Sequence, residues 1–121
     1  MWARYVFAVA FRLDPSGGVS LSPNEFETRL YREADEPGEP GWRFFRDNLW
    51  RGDVGDADHF RSLTEAALDV TVLSVEYRAF ETDEEYLEAL REAIADDLAA
   101  FKADSVDAVF NKYFGSSIEV Q

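Results

Sequence analysis

The N-terminal segment alternates by residue: Tyr5, Phe7, Val9, Phe11 and Leu13 on one face, Arg4, Val6, Ala8, Ala10 and Arg12 on the other. That two-residue period predicts a strand over 3–13 with one bulky buried face. Its second face is small and apolar at the centre, a surface that calls for cover. After "DPSGG", which is turn chemistry, "FETRLYRE" alternates again and predicts a strand over 26–33 with Phe26, Thr28 and Leu30 inward.

"DEPGEPG", at 35–41, reads as a loop. From Trp42 to Arg51, helical spacing aligns Trp42, Phe45 and Leu49, and Gly52 stands where a helix would stop. The alternative is a hairpin turning at Asp47-Asn48, a poorer two-residue turn than Asn-Gly. Asp56 is placed to cap a helix running to Leu68, with Phe60, Leu63, Ala67 and Leu68 apolar. Val70–Phe80 predicts the third strand. Thr82 and Glu85 have capping-box spacing before a helix over 83–101, whose Leu87, Leu90, Ile94, Leu98 and Phe101 form one stripe. A shorter helix over 105–114 and a final strand in "SSIEV" complete the chain. The order β-β-α-α-β-α-α-β predicts a single α+β domain over 1–121. Its expected form is a two-layer sandwich: a mixed sheet of about four strands with helices on one face, ferredoxin-like in character but not in strict βαββαβ order.

Composition supports a packed domain, with 46% hydrophobic residues and 15% aromatic ones in 121 residues. Without cysteine there are no disulfides, thiolate metal sites or cysteine nucleophiles. Charge changes the picture more. Acids number 25 against 12 bases, a net charge of −13, and only Lys102 and Lys112 are lysines. Carboxylate self-repulsion is costly in dilute buffer but screened where the Debye length shrinks to about 3 Å at 1 M salt. The expectation is a cytoplasmic protein of a salt-accumulating halophile, solvated by high salt with cations gathered at its carboxylates. Nucleic-acid partners are disfavoured, because salt removes counterion release and the charge opposes it. No apolar run is long enough for a membrane span. "MWARYVFAVAF" has the look of a signal peptide, but Arg12 closes its short apolar run and no convincing cleavage region follows.

Against this background "WRFFRDNLWR" is locally cationic, with Arg43, Arg46 and Arg51 against Asp47 alone. On one helix Arg43, Arg46 and Trp50 share a face, and Asp47 and Arg51 form an i, i+4 pair. Guanidinium forks and a tryptophan face suit recognition of a carboxylate- or phosphate-bearing partner. The neighbouring acids are equally suited to pairing every arginine internally, as a clamp. His59, the only histidine, stands beside Asp53, Asp56 and Asp58, where helix capping accounts for the acids and one histidine is thin support for a metal. Lys112 and Tyr113 precede "GSSI", a helix stop and turn without the pattern of a nucleophile elbow. No phosphate loop, nucleotide fingerprint or zinc spacing occurs, so no metal, cofactor or catalytic residue is implied.

Together "PGEPGWRFFRDNLWRG" and "KYFGSSIEV" resemble the LWR-salt family of small halophilic-archaeal proteins, whose Leu-Trp-Arg motif is Leu49, Trp50 and Arg51 here. The resemblance covers nearly the whole chain and implies lineage and lifestyle, not mechanism. The reading that follows is a non-enzymatic module that binds a protein partner or itself, through Trp42, Arg43, Arg46, Asp47, Trp50 and Arg51 with His59 nearby. The second face of the first strand (Val6, Ala8, Ala10) offers a dimer surface. Two alternatives stand beside it: a small enzyme or ligand-binding protein holding an anion on Arg43, Arg46 and Arg51, and a single-stranded RNA binder stacking bases on Trp50.

Overall fold

The structure, a computed structural model, describes all 121 residues. The chain runs β1 (Ala3–Arg12), β2 (Glu25–Glu33), α1 (Phe44–Asn48), β3 (Leu49–Trp50), β4 (Asp53–Val54), α2 (Ala57–Leu68) and β5 (Thr71–Thr82). It continues with α3 (Glu84–Ala95), a 3₁₀ turn (Leu98–Phe101), α4 (Val106–Tyr113) and β6 (Ile118–Val120). β2, β1, β5 and β6 form a mixed sheet in that order: β1 is antiparallel to both β2 and β5, and β6 is parallel to β5. β3 and β4 make a separate hairpin. The fold is thus α+β with a four-stranded mixed sheet and four α-helices. Because β1 and β2 pair directly, with no helix between them, the chain does not follow βαββαβ order.

The alternating face of β1 enters the core over most of its length: Ala3, Tyr5, Phe7 and Val9 are buried in one cluster with side chains from every helix. Phe11 and Leu13, expected on the same buried face, are half-buried outside it. β5 meets this face through two irregularities. Its pairing with β1 shifts between Val6 and Phe7 and again between Ala10 and Phe11, passing over Arg78 and Leu73. An unpaired residue reverses the phase of a strand, so Val72, Tyr77 and Phe80 all reach the core despite their mixed spacing. Phe80 then lies 5.0 Å from Tyr5 and 4.9 Å from Phe114, ring centre to ring centre.

The second face of β1 receives its cover from within the chain. Val6 and Ala8 are buried without joining the core cluster. Arg4 lies 4.3 Å over the Tyr31 ring and pairs with Glu81 at 2.7 Å. Long charged side chains that lie across small neighbours shield them from water.

Three other expectations are corrected in detail. Asp83, not Thr82, caps α3: its carboxylate accepts from the Tyr86 amide at 2.9 Å, while Thr82 ends β5 and its hydroxyl donates to Trp2 and Asp83 carbonyls. The helix predicted to reach Phe101 stops at Ala95 and resumes as the 3₁₀ turn. β2 is a strand, but of its predicted inward residues only Leu30 packs against the core.

Burial pushes the phenols of Tyr5, Tyr77 and Tyr86 well above the ordinary tyrosine range. Tyr77 shares a 2.7 Å hydrogen bond with Ser117, and Tyr86 donates to the Asp35 carbonyl at 2.6 Å. Because the folded values are raised, the neutral phenols favour the fold fully below the unfolded value of about 10, and this contribution is lost as pH rises through the folded values. In alkali, ionisation of these tyrosines is expected to coincide with loss of tertiary structure. Tyrosinate absorbance and near-ultraviolet dichroism, followed together, check this; gradual ionisation with the fold intact would contradict it.

Candidate functional site

The segment from Trp42 to Arg51 is not one helix. Only Phe44–Asn48 is helical; Leu49 and Trp50 form a strand that turns at Arg51-Gly52 and returns through Asp53 and Val54. Arg51 and Gly52 have φ of 52° and 84°. Positive φ at both central residues is what a tight two-residue hairpin requires, with Asn-Gly its usual occupant. A non-glycine residue pays about 1–2 kcal/mol for that conformation.

The return lies in what the turn does next. The Arg51 amide donates to the Lys112 carbonyl at 2.8 Å, and the Gly52 amide to the Tyr113 carbonyl at 3.0 Å. These carbonyls belong to the last turn of α4, where the helix itself supplies no donors. The Leu-Trp-Arg turn is therefore a tertiary cap for α4. Contact is backbone to backbone: a Cβ on Gly52 would stand 3.0 Å from the Phe114 carbonyl oxygen, and one on Gly115 3.1 Å from that of Arg51. Beneath it, Leu49 is buried, and the Phe45 ring lies 4.8 Å from Phe114, 5.6 Å from Phe101 and 5.7 Å from Tyr113.

The three arginines part company. Arg43 pairs with Asp97 at 2.6 Å and lies 4.7 Å over the buried Trp42, clamping the segment to the chain beyond α3. Its buried Nε has no hydrogen-bond partner, which costs part of what that clamp contributes. Arg46 pairs with its neighbour Asp47 at 3.0 Å. Both line an open cleft of about 450 Å³ with Arg32. Arg51 lies elsewhere. The expected helical face joining Arg43, Arg46 and Trp50, and the Asp47–Arg51 pair, do not form, because the chain leaves the helix at Leu49. His59 is exposed in the first turn of α2, where its amide donates to Asp56 at 3.1 Å. Asp53, Asp56, Asp58 and His59 do not come together as a set of three ligands for a metal ion.

Arg51 instead shares a cleft of about 920 Å³ with Trp50, Lys102, Asp104, Lys112 and Ser116. Lys102 has φ of 51° as it ends the 3₁₀ turn, so two of the three non-glycine residues with positive φ line this cleft. Trp50 is 47% exposed. Arg51 stands 5.6 Å from its ring centre and Lys112 6.0 Å. The Lys112 ammonium donates to the Phe101 carbonyl at 2.8 Å, while Arg51 and Lys102 form no ion pair. The dipole of α4 favours Lys112 in its last turn and Arg51 beside it, whereas Lys102 precedes the helix and gains nothing from it. All three charges are left free to meet a ligand. Sequence reasoning placed Arg51, Trp50 and Lys112 near one another only in part and did not include Lys102. The available signal was that of the chain's only two lysines one stands just before a short helix and the other in its last turn.

The fold and site define a small α+β domain whose motif turn closes a helix beside a cationic cleft. The family model described as LWR-salt protein matches residues 1–121, and the chain belongs to that family. No curated protein and no solved structure matches it.

If the motif turn acts through its backbone, Gly52→Ala should lower unfolding stability by roughly 1–3 kcal/mol, the range for a strained backbone position. Arg51→Gly should leave stability unchanged or raise it slightly, because glycine relieves the positive φ. Denaturant unfolding of both variants in high salt checks the pair; equal losses would mean that the Arg51 side chain itself holds the fold.

Proposed function

We propose that this is a non-enzymatic, halophile-adapted cytoplasmic binding domain that docks a carboxylate-rich segment of a protein partner at Trp50, Arg51, Lys102 and Lys112. The observation that carries the reading is charge placement. In a chain of net charge −13, three cations without a carboxylate partner line one cleft beside an exposed tryptophan. Exposed ion pairs are worth only about 0–1 kcal/mol and weaken with salt. Recognition in concentrated salt therefore needs more than charge. The Arg51 fork supplies directional hydrogen bonds, and Trp50 supplies apolar area whose burial salt does not screen.

Within the Trp42–Arg51 segment this reading divides the labour. Trp42 and Arg43 hold the fold, Arg46 and Asp47 occupy each other, and Trp50 and Arg51 face the partner. A small anion gripped jointly by Arg43, Arg46 and Arg51 is the weaker alternative, since Arg51 lines a different cleft from the other two. The reading also takes the helices as a single layer on the core face of the sheet, in the ferredoxin-like manner. Its support is that buried side chains from all four helices join Ala3, Tyr5, Phe7 and Val9 in one cluster.

A glutamate-rich peptide titrated in multi-molar KCl should shift tryptophan emission of the wild type. Arg51→Gly and Lys102→Glu should weaken that binding about tenfold or more, the loss of one charge-assisted hydrogen bond, with the melting temperature nearly unchanged. No binding by the wild type, or equal binding by folded variants, would overturn the proposal.

The salt adaptation is checked separately. Raising KCl from dilute to multi-molar should raise the melting temperature as carboxylate repulsion is screened. A flat or falling curve would contradict the halophile reading.

A further inference from the structure

The two edges of the main sheet are unlike. β6 offers three residues, short enough to be protected by its length, whereas β2 offers nine, Glu25–Glu33, almost all exposed. At one end of the β1–β2 ladder Leu13 donates to the Asn24 carbonyl at 2.9 Å, and at the other Ala34 donates to the Ala3 carbonyl at 3.0 Å. In an antiparallel pair, bonded positions recur every second residue. Even-numbered residues of β2 therefore bond β1. Glu25, Glu27, Arg29, Tyr31 and Glu33 turn their amides and carbonyls outward.

Self-complementary charge is the telling feature of this edge. Neither Glu27 nor Arg29 has an ion-pair partner within the chain. When two copies of β2 run antiparallel about a two-fold axis at Thr28, Glu27 falls opposite Arg29 of the second copy on both sides of the axis. Glu25 then meets Tyr31, and Phe26 meets Leu30. The outward-bonding pairs in this register are the odd-numbered ones, as the β1 ladder requires. Neighbouring registers bring like charges together: an axis at Arg29 opposes Arg29 to itself and Glu25 to Glu33, and one at Glu27 opposes Glu27 to itself, although it sets Glu25 opposite Arg29 on both sides. Like charges directly opposite destabilise a ladder.

The apolar side agrees. Beside β2 on the core face runs a groove of about 240 Å³, lined by Leu30, Phe44, Phe60, Leu63 and Ala67 among others. Leu63 is 51% exposed at its rim. Phe26, on the same face as Leu30, is partly exposed and rests on Phe11 with ring centres 5.7 Å apart. In the Thr28 register the second copy's Phe26 reaches Leu30 at the mouth of this groove.

We infer that the protein forms a symmetric dimer in which the β2 edges of two copies pair antiparallel about Thr28, joining their sheets into one. The dimer surface is thus the sheet edge, not the second face of β1. Each odd-numbered pair exchanges two backbone bonds, and Glu27 and Arg29 set the register.

Light scattering after size exclusion, in KCl just sufficient for folding and again in multi-molar KCl, should give the wild type twice the chain mass of 13.8 kDa. At the lower salt, Arg29→Glu and Glu27→Arg should each be monomeric. The double reversal, Glu27→Arg with Arg29→Glu, should restore the dimer. Glu27→Pro, which removes an outward amide without touching the β1 ladder, should give monomer at both salts, with circular dichroism confirming the fold. A monomeric wild type, single reversals that stay dimeric, or a double reversal that stays monomeric would overturn the register. A folded, dimeric Glu27→Pro would overturn the edge.

Discussion

Two backbone hydrogen bonds, from the amides of Arg51 and Gly52 to the carbonyls of Lys112 and Tyr113, organise much of this molecule. They join the middle of the chain to its last helix, with backbone approaching so closely that glycine occupies both sides of the contact at Gly52 and Gly115. The connection holds Phe45 among Phe101, Tyr113 and Phe114, and so sets the aromatic centre of the core. It also fixes the path into β6, whose parallel pairing with β5 begins just after Gly115.

The same interaction explains why the three letters of the motif differ in character. Leu49 points inward and packs. Trp50 lies across the rim, edge to face with Tyr113 at 6.3 Å. Arg51 sits where the turn needs a left-handed backbone, and its side chain is left over after the backbone has done its structural work. A simple choice between internal clamp and exposed surface does not fit this arrangement, because one residue serves the first with its amide and is free to serve the second with its guanidinium. Arg43 is the contrasting case: its side chain is committed to Asp97 and Trp42.

Periodicity made the long elements legible. β1, α2, α3 and α4 repeat their apolar spacing often enough for it to stand out, and Asp56 caps as its type suggests. The region 42–54 was not legible. Its helix has five residues and its strands two each, too short for any period to establish itself. Its turn carries Arg where Asn or Gly would have announced it, and Trp42, Phe45 and Leu49 happen to fall at helical spacing. The irregularities at Leu73 and Arg78 likewise hid which face of β5 is buried. At the candidate site, Trp50 and Arg51 were visible as residue types. Their meeting with Lys102 arises only when the turn caps α4, which brings residues about fifty positions apart into one cleft. The outward phase of β2 was equally invisible, since it depends on which of its amides β1 consumes.

Charge bookkeeping connects the two proposed surfaces. With 25 acids and 12 bases, chance pairing would leave acids over and few bases unmatched. Yet Arg29, Arg32, Arg51, Lys102 and Lys112 have no carboxylate partner. Three of them line the Trp50 cleft, and the other two belong to the exposed edge strand. A scarce cation held away from abundant carboxylates forgoes an easy, if weak, attraction. Arg29 and its own Glu27 project from the same face of β2 but form no ion pair, unlike Glu76 and Arg78 at the same spacing in β5, and β2 has no neighbour on its outer edge. Backbone capping places Arg51 beyond the reach of Asp47. In both places the cation is left without a partner in its own chain, available to a carboxylate from another molecule.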